Sequence, residues 1–156
     1  MSLIAEKLLG SYAADLPGSG AAGGLGFGLS LFAGASLQPG FHLFSQRAQL
    51  EKRLRSAHLV ITGEGSIDRS SFMGKGVGEI ANLCRRWHIS CLGLGGITQN
   101  RELIASRFTW VKAMTDLTSP DLAKSQPDLW LERLSAEVSR QLTGSPDFTC
   151  DKRLKH

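Results

Sequence analysis

The feature that most constrains this chain is a threefold alternation of short apolar runs and amphipathic segments between residues 57 and 144. "HLVIT" (58–62), "ISCLGLGG" (89–96) and "TWVKAMT" (109–115) read as strands. "GKGVGEIANLCRRW" (74–87) reads as a helix, with Val77, Ile80, Ala81, Cys84 and Trp87 on one stripe. "TQNRELIASR" (98–107) reads as a short helix with Thr98 as its N-cap. A last helix is expected from Pro127, where proline suits the first turn and Asp128 suits the positive end of the dipole, to a stop at Gly144. Three strands, each followed by a helix, predict an α/β fold with a parallel sheet, a βαβαβα unit with right-handed crossovers. Strands this apolar fit a sheet covered on both faces.

Residues 1–56 have a different texture. They are rich in Gly, Ala and Leu and read as a glycine-rich helical segment belonging to a second domain. "LIAEKLLGSY" (3–12) is a short amphipathic helix, "AAGGLGFGLSLFAGA" (21–35) is apolar on every side, and "QPG" (38–40) separates it from "FHLFSQRAQLEKRLRSA" (41–57). Residues 57–144 form the α/β domain, and 145–156 read as a flexible tail.

Composition narrows the partners. The net charge is +4, from 18 Lys and Arg against 14 Asp and Glu. "DKRLKH" (151–156) and "EKRLR" (51–55) each contribute +2, so the rest of the chain is balanced. Both runs read as solvated surface, which argues against a nucleic-acid partner. No apolar run approaches the ~18 residues of a membrane helix, and the N-terminus lacks the pattern of a secretion signal. Cys84, Cys91 and Cys150 show no metal or disulfide spacing and read as reduced residues of a cytoplasmic protein. The four histidines are scattered, and no structural metal site is expected.

The chemistry concentrates in "LVITGEGSIDRSSFMGKG" (59–76). After Thr62 come Gly63, Glu64 and Gly65, then Asp68, Ser71 and Lys75, at the carboxyl end of a strand where parallel sheets bind ligands. Glycines admit a ligand close to the backbone; carboxylates hold Mg²⁺ or take a proton; a lysine opening a helix meets phosphate. The alternative is a strand-to-helix turn capped by Asp68 or Ser70. A P-loop is excluded, because Arg69 and Gly76 stand where its pattern needs Gly and Ser or Thr. Gly18, Gly20 and Gly23 match GxGxxG, but the preceding segment reads as helix and no βαβ unit follows, so a dinucleotide site is rejected. A glycine loop opening a helix remains, suited to an anion or to close helix packing. Gly93–Gly96 and Asp116 lie at the same sheet edge, and Trp87, Trp110 and Trp130 read as packing residues.

"LPGSGAAGGLG" (16–26), then "LVITGEGSID", "GK", "LGLGG" and "TDLTS", in this order, resemble the bacterial glycerate kinases, from Leu16 to Ser119 and more faintly to Leu142. The resemblance implies an ATP-dependent, Mg²⁺-requiring cytoplasmic kinase that phosphorylates D-glycerate, with a cleft between two α/β domains. By position it implies Gly18, Gly20, Gly23 and Gly24 as a phosphate loop, supported by Gly63, Gly65, Ser71 and Lys75. Glu64 and Asp68 become the catalytic acids, Asp68 also the Mg²⁺ ligand. Ser19, Ser70 and Gly95–Gly96 depart from the family pattern. The family's DSFKGS-like start and GGSATNDGG-like segment do not occur here, so the chain corresponds to the C-terminal portion of such an enzyme. It is expected to be inactive alone, to need the N-terminal portion or to self-associate through its sheet edges. A non-catalytic nucleotide- or organic-acid-binding module of the same fold is the alternative.

Overall fold

A computed structural model of the chain describes Ile4, Lys7 and residues 13–144. The expected tail, 145–156, lies outside the described residues, as does most of the segment 3–12. The chain divides into two compact units, Met1–Leu43 and Phe44–His156.

In the first unit a 3₁₀ turn (Ala13–Asp15) leads into α1 (Ala21–Ala33). The helix opens through three left-handed residues, Ala22 (φ 50°), Gly23 (φ 68°) and Gly24 (φ 91°), before turning right-handed. It closes at Gly34, itself left-handed, whose N–H bonds the Leu29 carbonyl. The loop before α1 is pinned by the Ser19 hydroxyl, which donates to the Ala14 carbonyl at 2.6 Å, and by the Phe27 N–H, which donates to the Ser19 carbonyl at 3.0 Å. Gly26 is buried beneath this loop, where a Cβ would stand 2.5 Å from the Gly18 carbonyl oxygen. The helix α2 (Gly40–Arg47) follows.

The second unit begins at Phe44, within α2, and continues as α3 (Leu50–Arg55), β1 (Leu59–Ile67), α4 (Gly76–Arg86), β2 (Ser90–Thr98), α5 (Arg101–Ala105), β3 (Trp110–Ala113), α6 (Pro120–Ser125) and α7 (Pro127–Gly144). Its three strands form one parallel sheet in the order β1-β2-β3. One face carries Leu92, which packs with Leu134 and Val138 of α7 and is flanked by Leu59, Leu94 and Trp110. The opposite face takes Val77, Ala81 and Cys84, the buried part of the stripe expected on α4. There the Cys84 thiol beside it, together with burial, pushes the Cys91 thiol up. Both cysteines are free and buried, as expected of reduced core residues. Gly93 is the gap on this face into which Phe108 and Ile67 reach.

The order and type of these elements follow the sequence pattern; several boundaries do not. β1 does not end at Thr62 but carries Gly63, Glu64 and Gly65 within the strand, and β2 runs through its glycines to Thr98. The reason is steric. A Cβ on Gly63 would stand 2.4 Å from the Leu94 carbonyl oxygen, and one on Gly96 would stand 2.6 Å from that of Gly65. These glycines keep two strands close instead of ending them. β3 is correspondingly short, and its end folds into a 3₁₀ turn, Met114–Asp116. The residue before α5 is Asn100 in a left-handed conformation, not Thr98, which pairs with Ile67 at the end of β2. The last helix starts at Pro127 as expected.

Candidate functional site

The acidic segment folds as a single hydrogen-bonded turn at the carboxyl end of β1. Asp68 is extended and caps the 3₁₀ turn Arg69–Phe72. Its Oδ1 accepts from the Ser70 N–H at 2.7 Å and its Oδ2 from the Ser66 hydroxyl at 3.1 Å. In return the Asp68 N–H donates to Ser71 Oγ at 3.1 Å, which completes a capping box. The capping reading of Asp68 is therefore realised. The Ser70 hydroxyl first, then its N–H, hold the Asp68 carboxyl below the usual carboxylate range.

Ser71 is fully buried, and its hydroxyl donates to Glu64 Oε1 across the turn. Lys75 stands in the cap position of α4, donates to Ser70 Oγ at 2.8 Å and approaches Glu64 Oε2 to 3.8 Å. Glu64, Asp68, Ser71 and Lys75, the first and last eleven positions apart, thus form one network. Gly78 makes the turn possible: a Cβ there would stand 2.1 Å from the Ser71 carbonyl oxygen. Nothing in the motif pointed to Gly78, because the constraint lies between α4 and a turn that periodicity does not reveal.

Beside this network runs a groove of about 520 Å³. Gly63, Glu64, Gly65, Leu94 and Gly96 form its floor, and Met114 with Pro127, Asp128 and Leu131 of α7 form its wall. Sequence reading missed that wall; the only signal was Pro127–Asp128, read as a helix start. A second, shallower concavity of about 680 Å³ lies over Arg69, Asn100, Arg101, Glu102 and Leu103. Asp116, expected at this edge, is there. Its Oδ2 accepts from the Ala113 N–H at 2.9 Å and its Oδ1 pairs with Arg101. Arg69 and Arg101 were not singled out from sequence, since isolated arginines on loops carry no spacing signal.

The glycine loop belongs to the first unit. Gly18, Gly23 and Gly24 have positive φ, and at Gly20, Gly23 and Gly24 a Cβ would meet nothing within 4 Å. Close packing is confined to Gly26; Gly23 and Gly24 answer to backbone conformation. The tryptophans divide as well. Trp110 packs in the core, whereas Trp87 carries the Arg55 guanidinium 3.7 Å from its ring centre.

Among the described residues no group of three or more His, Cys, Asp or Glu is placed to hold a metal ion. Mg²⁺ needs less: one or two carboxylates, with waters and substrate phosphates completing its shell. The Glu64 carboxylate, accepting from Ser71, and the Asp68 carboxylate, accepting from Ser66 and Ser70, keep lone pairs that fit that modest donor set. No helix among the described residues is long and apolar enough to cross a membrane.

Comparison with known proteins gives the family. A profile of the glycerate kinase family matches residues 1–143. A glycerate kinase of Halalkalibacterium halodurans is 34% identical over 142 residues, 87% of this chain and 37% of that protein. Glycerate 2-kinase of Escherichia coli K12 is 39% identical over 93 residues, 60% of this chain and 24% of that protein. A crystal structure assigned as glycerate kinase 2 of Salmonella typhimurium LT2 superposes with a TM-score of 0.53 at 35% identity, over 72% of this chain and 29% of that one. The chain spans only about a quarter to just over a third of the length of these relatives.

Proposed function

The chain belongs to the glycerate kinase family, and from that premise we propose that it supplies the acidic part of a site for ATP-dependent phosphorylation of D-glycerate to phosphoglycerate. The observation that carries this reading is the Glu64–Ser71–Asp68 network with Lys75 at the mouth of β1. Phosphoryl transfer asks little covalent chemistry of a protein; it asks for aligned reactants and neutralised charge. Glu64 is half-buried and reaches the groove, which suits it to accept the proton of the attacking hydroxyl. Asp68 would share in holding Mg²⁺, which, when bound, draws charge from the phosphate oxygens. Lys75, half exposed and tethered to Ser70, is free to swing toward a phosphate. Gly63 and Gly65 line the groove, Gly65 with open space where a Cβ would stand, and the glycine loop of the first unit, Gly18 to Gly24, offers amide donors to phosphate.

The activity belongs to the cytoplasm in this reading, and the isolated chain turns over slowly or not at all. It spans a minor part of its relatives, and β1 and β3 are the two edges of its sheet. The N-terminal portion of such an enzyme, or a second copy, would pair there.

The test measures binding of MgATP and D-glycerate by calorimetry, with ADP release followed in the same samples. Glu64→Gln and Asp68→Asn are expected to weaken binding or turnover about tenfold or more, since a tenfold change corresponds to about 1.4 kcal/mol. Unchanged binding and turnover in both variants overturns the assignment. Tight binding of either ligand with no ADP release, even when the N-terminal portion of such an enzyme is present, supports the non-catalytic module instead.

A further inference from the structure

Beyond the acidic turn, two strands deliver polar groups to one concave surface at their carboxyl ends, and the third braces one of them. β1 leads to Arg69 and β2 to Asn100 and Arg101. β3 leads to Asp116, whose carboxylate is held by the Ala113 N–H and in turn holds Arg101. We propose that Arg69, Asn100 and Arg101 form an oxyanion subsite, which receives a carboxylate or phosphate group of the ligand. The proposal deepens the function proposed above and rests on it for the ligand's identity.

Arg69 makes no ion pair and no side-chain hydrogen bond among the described residues, although it follows directly on Asp68. A guanidinium with no internal partner, on the wall of a concavity at the ligand edge of a parallel sheet, is available for an external anion. Arg101 is differently placed: one of its terminal nitrogens is tied to Asp116, which fixes the orientation of the fork. Its remaining donors are left for a ligand, and a fixed fork loses less freedom when it binds an oxyanion. Asn100 is left-handed (φ 55°) and its side chain makes no capping bond, so its amide is a third available donor. Glu102 lines the same surface and opposes an anion, which gives the subsite a built-in control.

The experiment titrates the full chain with inorganic phosphate at low ionic strength, by calorimetry or by ¹⁵N amide shifts. Arg69→Gln and Arg101→Gln are each expected to weaken phosphate about fivefold, and Glu102→Gln to tighten it by about twofold, as expected for exposed charge pairs. D-glycerate displacing phosphate more effectively than ADP assigns the subsite to the acceptor's carboxylate; the reverse assigns it to the nucleotide. Phosphate affinity equal in the wild type and both arginine variants overturns the proposal, as does wild-type protein that binds none of the three. Glu64→Gln separates the two readings. If it weakens MgATP or D-glycerate binding while the arginine variants leave phosphate binding unchanged, the subsite fails and the kinase reading stands. If the arginine variants weaken phosphate while Glu64→Gln and Asp68→Asn change nothing, the subsite stands without it.

Discussion

The loop before α1 and the turn after β1 are both rich in glycine, and the glycines serve opposite ends. At Gly23 and Gly24 the space around a missing Cβ is empty, and the backbone is left-handed. At Gly78 the backbone is helical, and the space is taken by the Ser71 carbonyl. The first kind of glycine is required by its own torsion angles, the second by its neighbour. A residue that tolerates left-handed torsions can replace the first and not the second.

That contrast sets the largest expected effect. Gly78→Ala forces the Ser71 carbonyl away from α4, and Ser71 is the hub that joins Asp68 to Glu64. Alanine is the better helix former by about 1 kcal/mol, yet overpacking against a carbonyl at 2.1 Å is expected to outweigh this and cost about 3 kcal/mol net. Guanidinium unfolding followed by tryptophan fluorescence reads it, because all three tryptophans lie in the second unit. A loss below about 1 kcal/mol would mean that the turn yields without strain. Gly23→Ala should cost about 1–2 kcal/mol through torsion alone, and Gly23→Asn less than Gly23→Ala. Hydrogen exchange along α1 reports this unit, which holds no tryptophan. Asparagine performing worse than alanine at Gly23 would break the comparison.

The same contrast explains how much was legible in advance. The order of strands and helices followed from hydrophobic period, and Pro127 marked the start of α7 without help from tertiary structure. The acidic cluster was also readable, since Glu64, Asp68, Ser71 and Lys75 fall within twelve residues and end in one network. Strand ends were not readable, because Gly63, Gly95 and Gly96 look like breaks until a partner strand is seen to need their missing side chains. For the same reason Thr98 looked like a cap; in the folded chain its hydroxyl is buried and makes no hydrogen bond among the described residues. The groove wall from α7 and the two arginines depend on contacts between distant segments, which local pattern does not carry.

The two regions should also part in acid. The glycine loop, Gly18 to Gly24, contains no ionisable side chain. The turn contains Asp68, whose carboxyl is held below its ordinary value of 3.8 by the Ser70 hydroxyl and N–H. A carboxyl depressed by folding stabilises the fold above its unfolded value, and that contribution fades as pH falls through the folded one. The stability margin of the wild type over Asp68→Ala should therefore be constant above about pH 5 and shrink progressively below 3.8. Amide exchange in residues 64–75 should accelerate over that range, while the amides of α1 respond only to global unfolding. A margin independent of pH would show that Asp68 caps the turn by shape and not by charge.

The smallest effect is expected at the serine of the glycine loop. The Ser19 hydroxyl donates to the Ala14 carbonyl at 2.6 Å, a shorter distance than most bonds in the turn, yet the pair is exposed. Water takes over both groups when the hydroxyl is removed, so Ser19→Ala should cost about 0.5 kcal/mol. Ser71→Ala removes a hydroxyl of the same kind from a fully buried position and leaves the Asp68 N–H and Glu64 Oε1 without it. Its cost should be several times larger, about 1–3 kcal/mol, because a buried group left unpaired bears its full desolvation penalty. The comparison is read from the ratio of the two losses in paired denaturation curves. Equal losses would mean that Ser71 is reached by water as readily as Ser19, and a turn that wet could not hold Glu64 in the fixed position that proton transfer requires.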